Sequence, residues 1–165
     1  MIKIRLVKYN KKWKESFYKI KKILENNIHL EITIEHIGST AIPKIKAAKP
    51  IIDVLIGINN NNLDQYIPLV KKSGFEYINK YEKDIPFRRF FIKKDHPKTN
   101  IHLVKKSSLW FKRHIAFREE LINNLHIREE YENLKIQLSK KNWENGNEYS
   151  DEKTEFIRSV EQKIL

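Results

Sequence analysis

The sequence predicts an α+β fold, a mixed β-sheet of about five strands with one N-terminal helix and a C-terminal group of three helices. Three observations predict it. Apolar residues recur at helical spacing near the N-terminus and again through the last third of the chain. The middle consists of short runs, alternating or wholly apolar, broken by Gly, Pro and Asn. With 165 residues, the chain (1–165) has the length of a single domain, since domains run roughly 100 to 200 residues.

The elements follow in order. From Lys11 to Asn26, Trp13, Phe17, Ile20 and Leu24 form one apolar stripe among lysines, an amphipathic helix. His29 to Ile37 alternates Leu30, Ile32 and Ile34 with Glu31, Thr33 and Glu35, the period of a strand with one wet face. Gly38 and Ser39 end it. Pro50 opens Ile51 to Ile58, whose nearly continuous apolar character marks a central strand covered on both faces. Leu63 to Ser73 reads as a helix with Pro68 in its first turns or at a kink, stopped by Gly74. Phe75 to Tyr81 and Phe87 to Ile92 are aromatic-rich strands joined by a hairpin-length turn, "EKDIP", and Asn100 to Lys105 is a further strand. Ser107 or Ser108 caps a helix reaching Leu125, Ile127 to Lys140 repeats the pattern, and Ser150 caps a final helix carrying Phe156, Val160 and Ile164.

Composition narrows the class. With 40% hydrophobic and 11% aromatic residues the chain is too apolar for a disordered protein. No apolar run approaches the roughly 18 residues of a membrane span, and the start lacks the pattern of a signal peptide, so no membrane partner and a cytoplasmic location are expected. The absence of Cys excludes disulfides and thiolate metal sites. A net charge of +12 attracts polyanions, bringing nucleotides, nucleic acid and anionic lipid into view. Lys is nevertheless spread evenly beside Ile and Asn, as in "INNNNL" and "KKNWENGN", so a nucleic-acid partner is possible but a diffuse basic surface is the favoured reading. No Ser-His-Asp order, Walker loop or Gly-rich dinucleotide fingerprint is present.

One acid stands out. Asp53 lies within an otherwise apolar strand, where an ionised carboxylate costs several kcal/mol unless it is paired, hydrogen-bonded or metal-bound. The turn of Gly38, Ser39 and Thr40 follows the preceding strand. Its backbone N–H groups and small hydroxyls suit phosphate oxygens, while a strand carboxylate suits a divalent metal bridging them. This is a layout for phosphoryl or nucleotidyl transfer.

The stretch "IEHIGSTAIP...AAKPIIDVLIGI", followed in order by "IPFRRFFIK", "IHLV", "LWFKRHIAFREEL", "YENLK" and "YSDEKTEFI", resembles the GrpB family from Val7 to the final helix. The resemblance implies a nucleotidyltransferase-like fold, whose members carry a Gly-Ser turn and a strand with acids two residues apart. Gly38 and Ser39 match that turn, and Asp53 matches the second acid. Ile51 stands where the first acid would be, and Asp53 has no carboxylate neighbour on its own strand. An ordinary two-metal site, which uses several carboxylates around ions about 4 Å apart, is therefore not expected.

Glu35 on the preceding strand is the candidate for the missing charge, and His36 points to the opposite face. His102 lies on "NIHLV", where relatives often show His-x-His and this chain has Asn100. Lys44 stands where relatives commonly have Gly. The expected catalytic residues are Asp53 and Glu35, with Mg²⁺ (or Mn²⁺) held by Asp53, Glu35 and His102. Gly38, Ser39, Thr40, Lys49, Arg89, Lys93, Arg118, Lys135 and Lys153 are the phosphate-binding candidates, Lys135 and Lys153 because they match family positions. Two functions are expected as alternatives. One is a metal-dependent nucleotidyltransferase that moves a nucleoside monophosphate from a nucleoside triphosphate to an unknown small acceptor. The other is a catalytically inactive nucleotide- or RNA-binding module of the same fold.

Overall fold

The computed structural model describes residues 1–165. A short strand β1 (Ile2–Lys3) precedes helix α1 (Lys12–Asn27), which buries Trp13, Phe17, Ile20 and Leu24, the stripe expected from helical spacing. Strands β2 (Ile32–Ile37) and β3 (Ile52–Ile58) follow, linked by a single 3-10 turn at Ser39–Ala41. β2 begins three residues later than the alternation suggested. Its first pair is Ile32 with Ile58, the last residue of β3, so the residues before it have no partner. Helix α2 (Ile67–Lys72) continues a 3-10 turn at Asp64–Tyr66 and carries Pro68 in its first turn, where the missing N–H breaks no bond.

β4 (Glu76–Ile78) and β5 (Arg88–Lys93) are antiparallel, and β6 (Thr99–Lys105) lies between β5 and β3. The segment between β4 and β5 is a long loop rather than a tight hairpin. The backbone N–H groups of Asp84 and Ile85 both donate to the Tyr81 carbonyl. The C-terminal region comprises α3 (Leu109–Asn123), capped by Ser108, and α4 (Leu125–Ser139), capped by Asn124. After them come β7 (Asn142–Trp143), α5 (Gly146–Asp151) and α6 (Thr154–Ile164). The expected cap at Ser150 is corrected. Ser150 lies inside α5, where its hydroxyl donates to the Gly146 carbonyl, and Asn145 caps that helix. β7 pairs with β1 in a two-residue ribbon too short to leave an alternation in the sequence.

The main sheet has the order β2-β3-β6-β5-β4, with β3 parallel to β6 and every other pair antiparallel. Side chains alternate across it, and the register divides them cleanly. One face carries Val54, Ile56, Ile101, Leu103 and Phe91, all fully buried in the main core with the stripe of α1. The other carries Leu55, Val104 and Ile37, which pack on Phe111 of α3. A Cβ at Gly57 would stand 2.6 Å from the Phe111 ring, so glycine is what lets α3 approach this face. No helix is long and apolar enough to cross a membrane.

Candidate functional site

Asp53 points to the α3 face of the sheet. The register pairs it with Ile37 on one side and Asn100 on the other, and pairs Leu55 with His102, so Asp53, Asn100 and His102 share that face. The Asn100 amide donates to Asp53 Oδ1 at 3.2 Å, and His102 Nε2 lies 3.7 Å from the same oxygen. These neighbours supply the compensation that an acid in an apolar strand requires. A cavity of about 660 Å³ opens over them, walled by the sheet, the Gly38 turn, α3, α4 and the α5–α6 corner.

Gly38 sets the turn against the acid. Its φ of +72° with ψ of −174° belongs to a region that only glycine occupies readily. A Cβ there would stand 2.6 Å from Asp53 Oδ2. Gly38→Ala is therefore expected to lose about 1–3 kcal/mol of stability and to displace Asp53, measured by urea unfolding. A loss within experimental error of zero would contradict this role. Lys44, where the resemblance leads one to expect Gly, also adopts a left-handed φ, of +66°.

The cationic wall consists of three lysines from separate segments. Lys49 precedes β3, Lys135 comes from α4, and Lys153 sits before α6. Lys135 is 2% exposed and donates from Nζ to Ser39 Oγ at 2.8 Å. Its ammonium lies 4.7 Å from the Tyr131 ring centroid, while those of Lys153 and Lys49 lie 4.3 and 5.2 Å from the Tyr149 ring. Burial and the neighbouring ammoniums push Lys135 down to about 7, and burial followed by Lys49 does the same to Lys153. Burial lowers Lys49 as well, and Asp53 partly opposes the shift. No lysine of the trio forms an ion pair with a carboxylate within 4 Å. Desolvated like charges held together with no carboxylate within 4 Å leave their charged forms uncompensated at close range.

The opposite wall is aromatic. Trp110 stacks on His114 at 3.6 Å between centroids, and Phe90, His102 and Tyr81 continue the surface. Arg88 lies over this group and approaches His102 Nδ1 at 3.3 Å. A guanidinium only donates, so Nδ1 accepts and the imidazole proton resides on Nε2, facing Asp53. Burial holds His102 below its usual pKa and keeps it neutral near pH 7. His114 is pushed down to about 4 by the same cause.

The structure thus brings together Gly38, Ser39, Lys49, Asp53, His102, Lys135 and Lys153. Of the other candidates, Arg118 lines a smaller adjoining cavity of about 200 Å³ with Gly38, Ser39, Asp53 and His102, and the rest lie outside both. Glu35 shares the face of Asp53 but sits opposite Leu55, a diagonal neighbour roughly 7 Å away. It is engaged by Arg118 at 2.7 Å, and the same guanidinium nitrogen donates to the His36 carbonyl. Thr40 is buried, donating to the Ile51 carbonyl and accepting from His36 Nε2, so its hydroxyl ties the turn to β3. Arg89 and Lys93 pair with Leu103 and Thr99 and therefore face α1 and α2, where Arg89 binds Asp64 at 2.7 Å. Residues that sequence reasoning missed are Arg88, Trp110, Tyr81, Tyr131 and Tyr149. For Arg88 a signal existed, because it alternates with Phe90 on the face that His102 defines.

The comparisons with known proteins agree on the family. The family described as GrpB protein matches residues 3–163. UPF0157 protein YqkA of Bacillus subtilis (strain 168) is 36% identical over 97% of this chain, which spans 47% of that protein's length. Glutamate-rich protein GrpB of Alkalihalophilus pseudofirmus is 33% identical over 94% of this chain and 92% of its own. The crystal structure of conserved protein GrpB from Enterococcus faecalis superimposes with TM-score 0.83 at 29% identity, covering 97% of this chain and 96% of that one. The Cid1 poly(U) polymerase with Mg 3′-dATP bound aligns with TM-score 0.54 at 11% identity, over 81% of this chain and 43% of that one, a likeness of fold alone.

Proposed function

The chain belongs to the GrpB family, and from that premise we propose that its cavity binds the polyphosphate of a nucleoside triphosphate and transfers the nucleoside monophosphate to a small acceptor. One observation carries this reading: three desolvated lysines converge beside the Gly38–Ser39 turn and Asp53 with no carboxylate within 4 Å of any of them. The acceptor's hydroxyl oxygen forms a bond to the α-phosphorus. The bond from that phosphorus to the α,β-bridging oxygen breaks, its electron pair leaves with pyrophosphate, and the hydroxyl proton passes to solvent. Lys49, Lys135 and Lys153 neutralise the charge that grows on the leaving group, an electrostatic stabilisation that is strong in a site shielded from water.

The donor set around Asp53 fits one Mg²⁺ (or Mn²⁺) and does not fit two. Mg²⁺ is commonly held by one or two carboxylates together with substrate phosphates, and here a single carboxylate is backed by the Asn100 amide. His102, with Nδ1 accepting from Arg88 and its proton on Nε2, has no lone pair left for an ion and is corrected from ligand to neighbour. Asp53 would hold the ion, which would supply further charge neutralisation at the phosphates. In this reading Glu35 adds negative charge to the same face from its diagonal position, and Arg118 holds it there.

A second reading, a nucleotide- or RNA-binding module without catalysis, draws on Ile51 in the place of a first acid. The two are separated by pyrophosphate release from each of the four nucleoside triphosphates in the presence of Mg²⁺ and a mixture of small alcohols and phosphates. Release above the protein-free rate supports transfer; tight binding without any release supports the module.

The lysines also fix a pH dependence. A bound triphosphate favours their charged form and raises the pKa of Lys135 and of Lys153 from about 7 towards the usual 10.5. Affinity is therefore greatest at and below pH 7 and falls as pH rises through that window. At pH 8 the terminal phosphate, with a pKa near 6, is already ionised. Binding at that pH should take up roughly one to two protons. Calorimetry in two buffers of different ionisation enthalpy measures this, and no uptake would count against the lysine trio as the phosphate site.

A further inference from the structure

Arg88 is the only half-buried arginine in the protein without a carboxylate partner. Arg89 binds Asp64 and Glu82, Arg118 binds Glu35 and Glu119, Arg113 and Arg158 share Glu161, and Arg128 reaches Glu132. Arg88 instead spends one N–H on His102 and lies 5.1 Å from the Phe90 centroid, 5.8 Å from Trp110 and 6.0 Å from Tyr81. Arg88 lines the same cavity as Asp53. Rings that hold a guanidinium by its face leave its edge free, and that edge is the fork that binds a carboxylate or phosphate with two parallel hydrogen bonds.

The position is as informative as the chemistry. The lysine trio sits on the β2–β3 side of Asp53, against the Gly38–Ser39 turn and α4. Arg88 stands on β5, two strands from β3 and so roughly 10 Å across the sheet. The cavity therefore has two separate cationic poles with Asp53 between them and His102 linking Arg88 to it. A triphosphate seated on the lysines leaves the second pole unanswered.

We infer that Arg88 marks the acceptor subsite, and that the acceptor is a small anion carrying a phosphate or carboxylate on the molecule whose hydroxyl receives the nucleotide. The inference rests on the transfer reading above and gives its acceptor a chemical class. Arg88 grips the anionic group, the Phe90, Tyr81 and Trp110 rings wall the carbon skeleton, and the hydroxyl is left towards Asp53 and the α-phosphorus. Neutral alcohols and amines of the same size lack the group that Arg88 selects.

The test is calorimetric binding of glycerol 3-phosphate, glycerate and neutral glycerol to wild type, Arg88→Gln and Arg88→Lys, with ATP titrated into each protein in parallel. Wild type is expected to bind one or both anions and not glycerol, the two anions deciding between phosphate and carboxylate. Arg88→Gln should weaken anion binding by about tenfold to a hundredfold, the worth of a charge-assisted hydrogen bond. Arg88→Lys, which keeps the charge without the fork, should fall between, and ATP affinity should change by less than about twofold in both variants. Anion binding indifferent to Arg88 would place the anions on the lysines and overturn the inference. So would a loss of ATP affinity in Arg88→Gln, which would make Arg88 part of the nucleotide site, or a wild type that binds ATP and neither anion. If wild type binds no ATP yet binds anions through Arg88, the triphosphate reading fails while the anion subsite stands.

Discussion

Lys135→Met is expected to abolish triphosphate binding while making the nucleotide-free protein more stable. The two effects have one origin. Lys135 is almost fully buried, and its pKa of about 7 means that the folded protein disfavours its charge. In the unfolded chain the same group keeps its ordinary 10.5 and binds a proton that the folded state releases. Stability of the nucleotide-free protein therefore rises with pH between about 7 and 10.5, and below 7 it carries the full penalty of a buried ammonium. Methionine has nearly the same length and fills the space over Tyr131 without charge, so the variant removes a penalty of up to a few kcal/mol near neutral pH. Urea unfolding at pH 7 and pH 9 measures this: the variant should gain at pH 7, and the gain should shrink at pH 9. A variant less stable than wild type at pH 7 would show that the bond to Ser39 Oγ outweighs desolvation. Retaining a destabilising cation is the signature of a ligand site rather than a structural one.

Asp53→Asn is expected to separate the metal from the nucleotide. The asparagine preserves size and still meets Asn100 and His102, but removes the carboxylate on β3 that the proposed function places beside the polyphosphate. Binding with Mg²⁺ and binding with chelator should become equal. The chelator value should itself tighten relative to wild type, because a negative charge beside the phosphates is gone. Transfer, where it is detected, should fall by about a hundredfold to ten-thousandfold, the range for losing a group that acts on the transition state. A variant whose Mg²⁺ dependence equals that of wild type would remove Asp53 from the metal and leave it as the partner of Asn100 alone.

The sequence was most informative where periodicity was long. The α1 stripe and the buried β3 emerge because burial imposes a pattern over several residues, and of the two serines offered as the α3 cap it is Ser108 that accepts from Phe111 N–H. The β1–β7 ribbon and the shortened β2 and β4 escaped because strand ends are set by the partner, which local sequence does not contain. At the site, the Gly-Ser turn, Asp53 and the lysines at 135 and 153 were legible through the family motifs. Lys44 shows what such a motif encodes, since its left-handed φ is the conformation that glycine supplies without strain. Arg88 was missed by one residue. In a strand a single step exchanges faces, so choosing Arg89 selected the partner of Asp64 instead of the guanidinium in the cavity. The trio itself could not be read from spacing, because Lys49, Lys135 and Lys153 meet only when α4 and the α5–α6 corner close over the sheet.

The most direct test is a thermal-shift titration of wild type and Lys135→Met with each of the four nucleoside triphosphates, with Mg²⁺, with Mn²⁺ and with chelator. Triphosphate at about a hundred times its dissociation constant adds roughly 2.7 kcal/mol to the folded state. The account predicts a clear rise in the melting temperature of wild type with at least one triphosphate and none in Lys135→Met. No rise with any of the four, or an equal rise in both proteins, would contradict it.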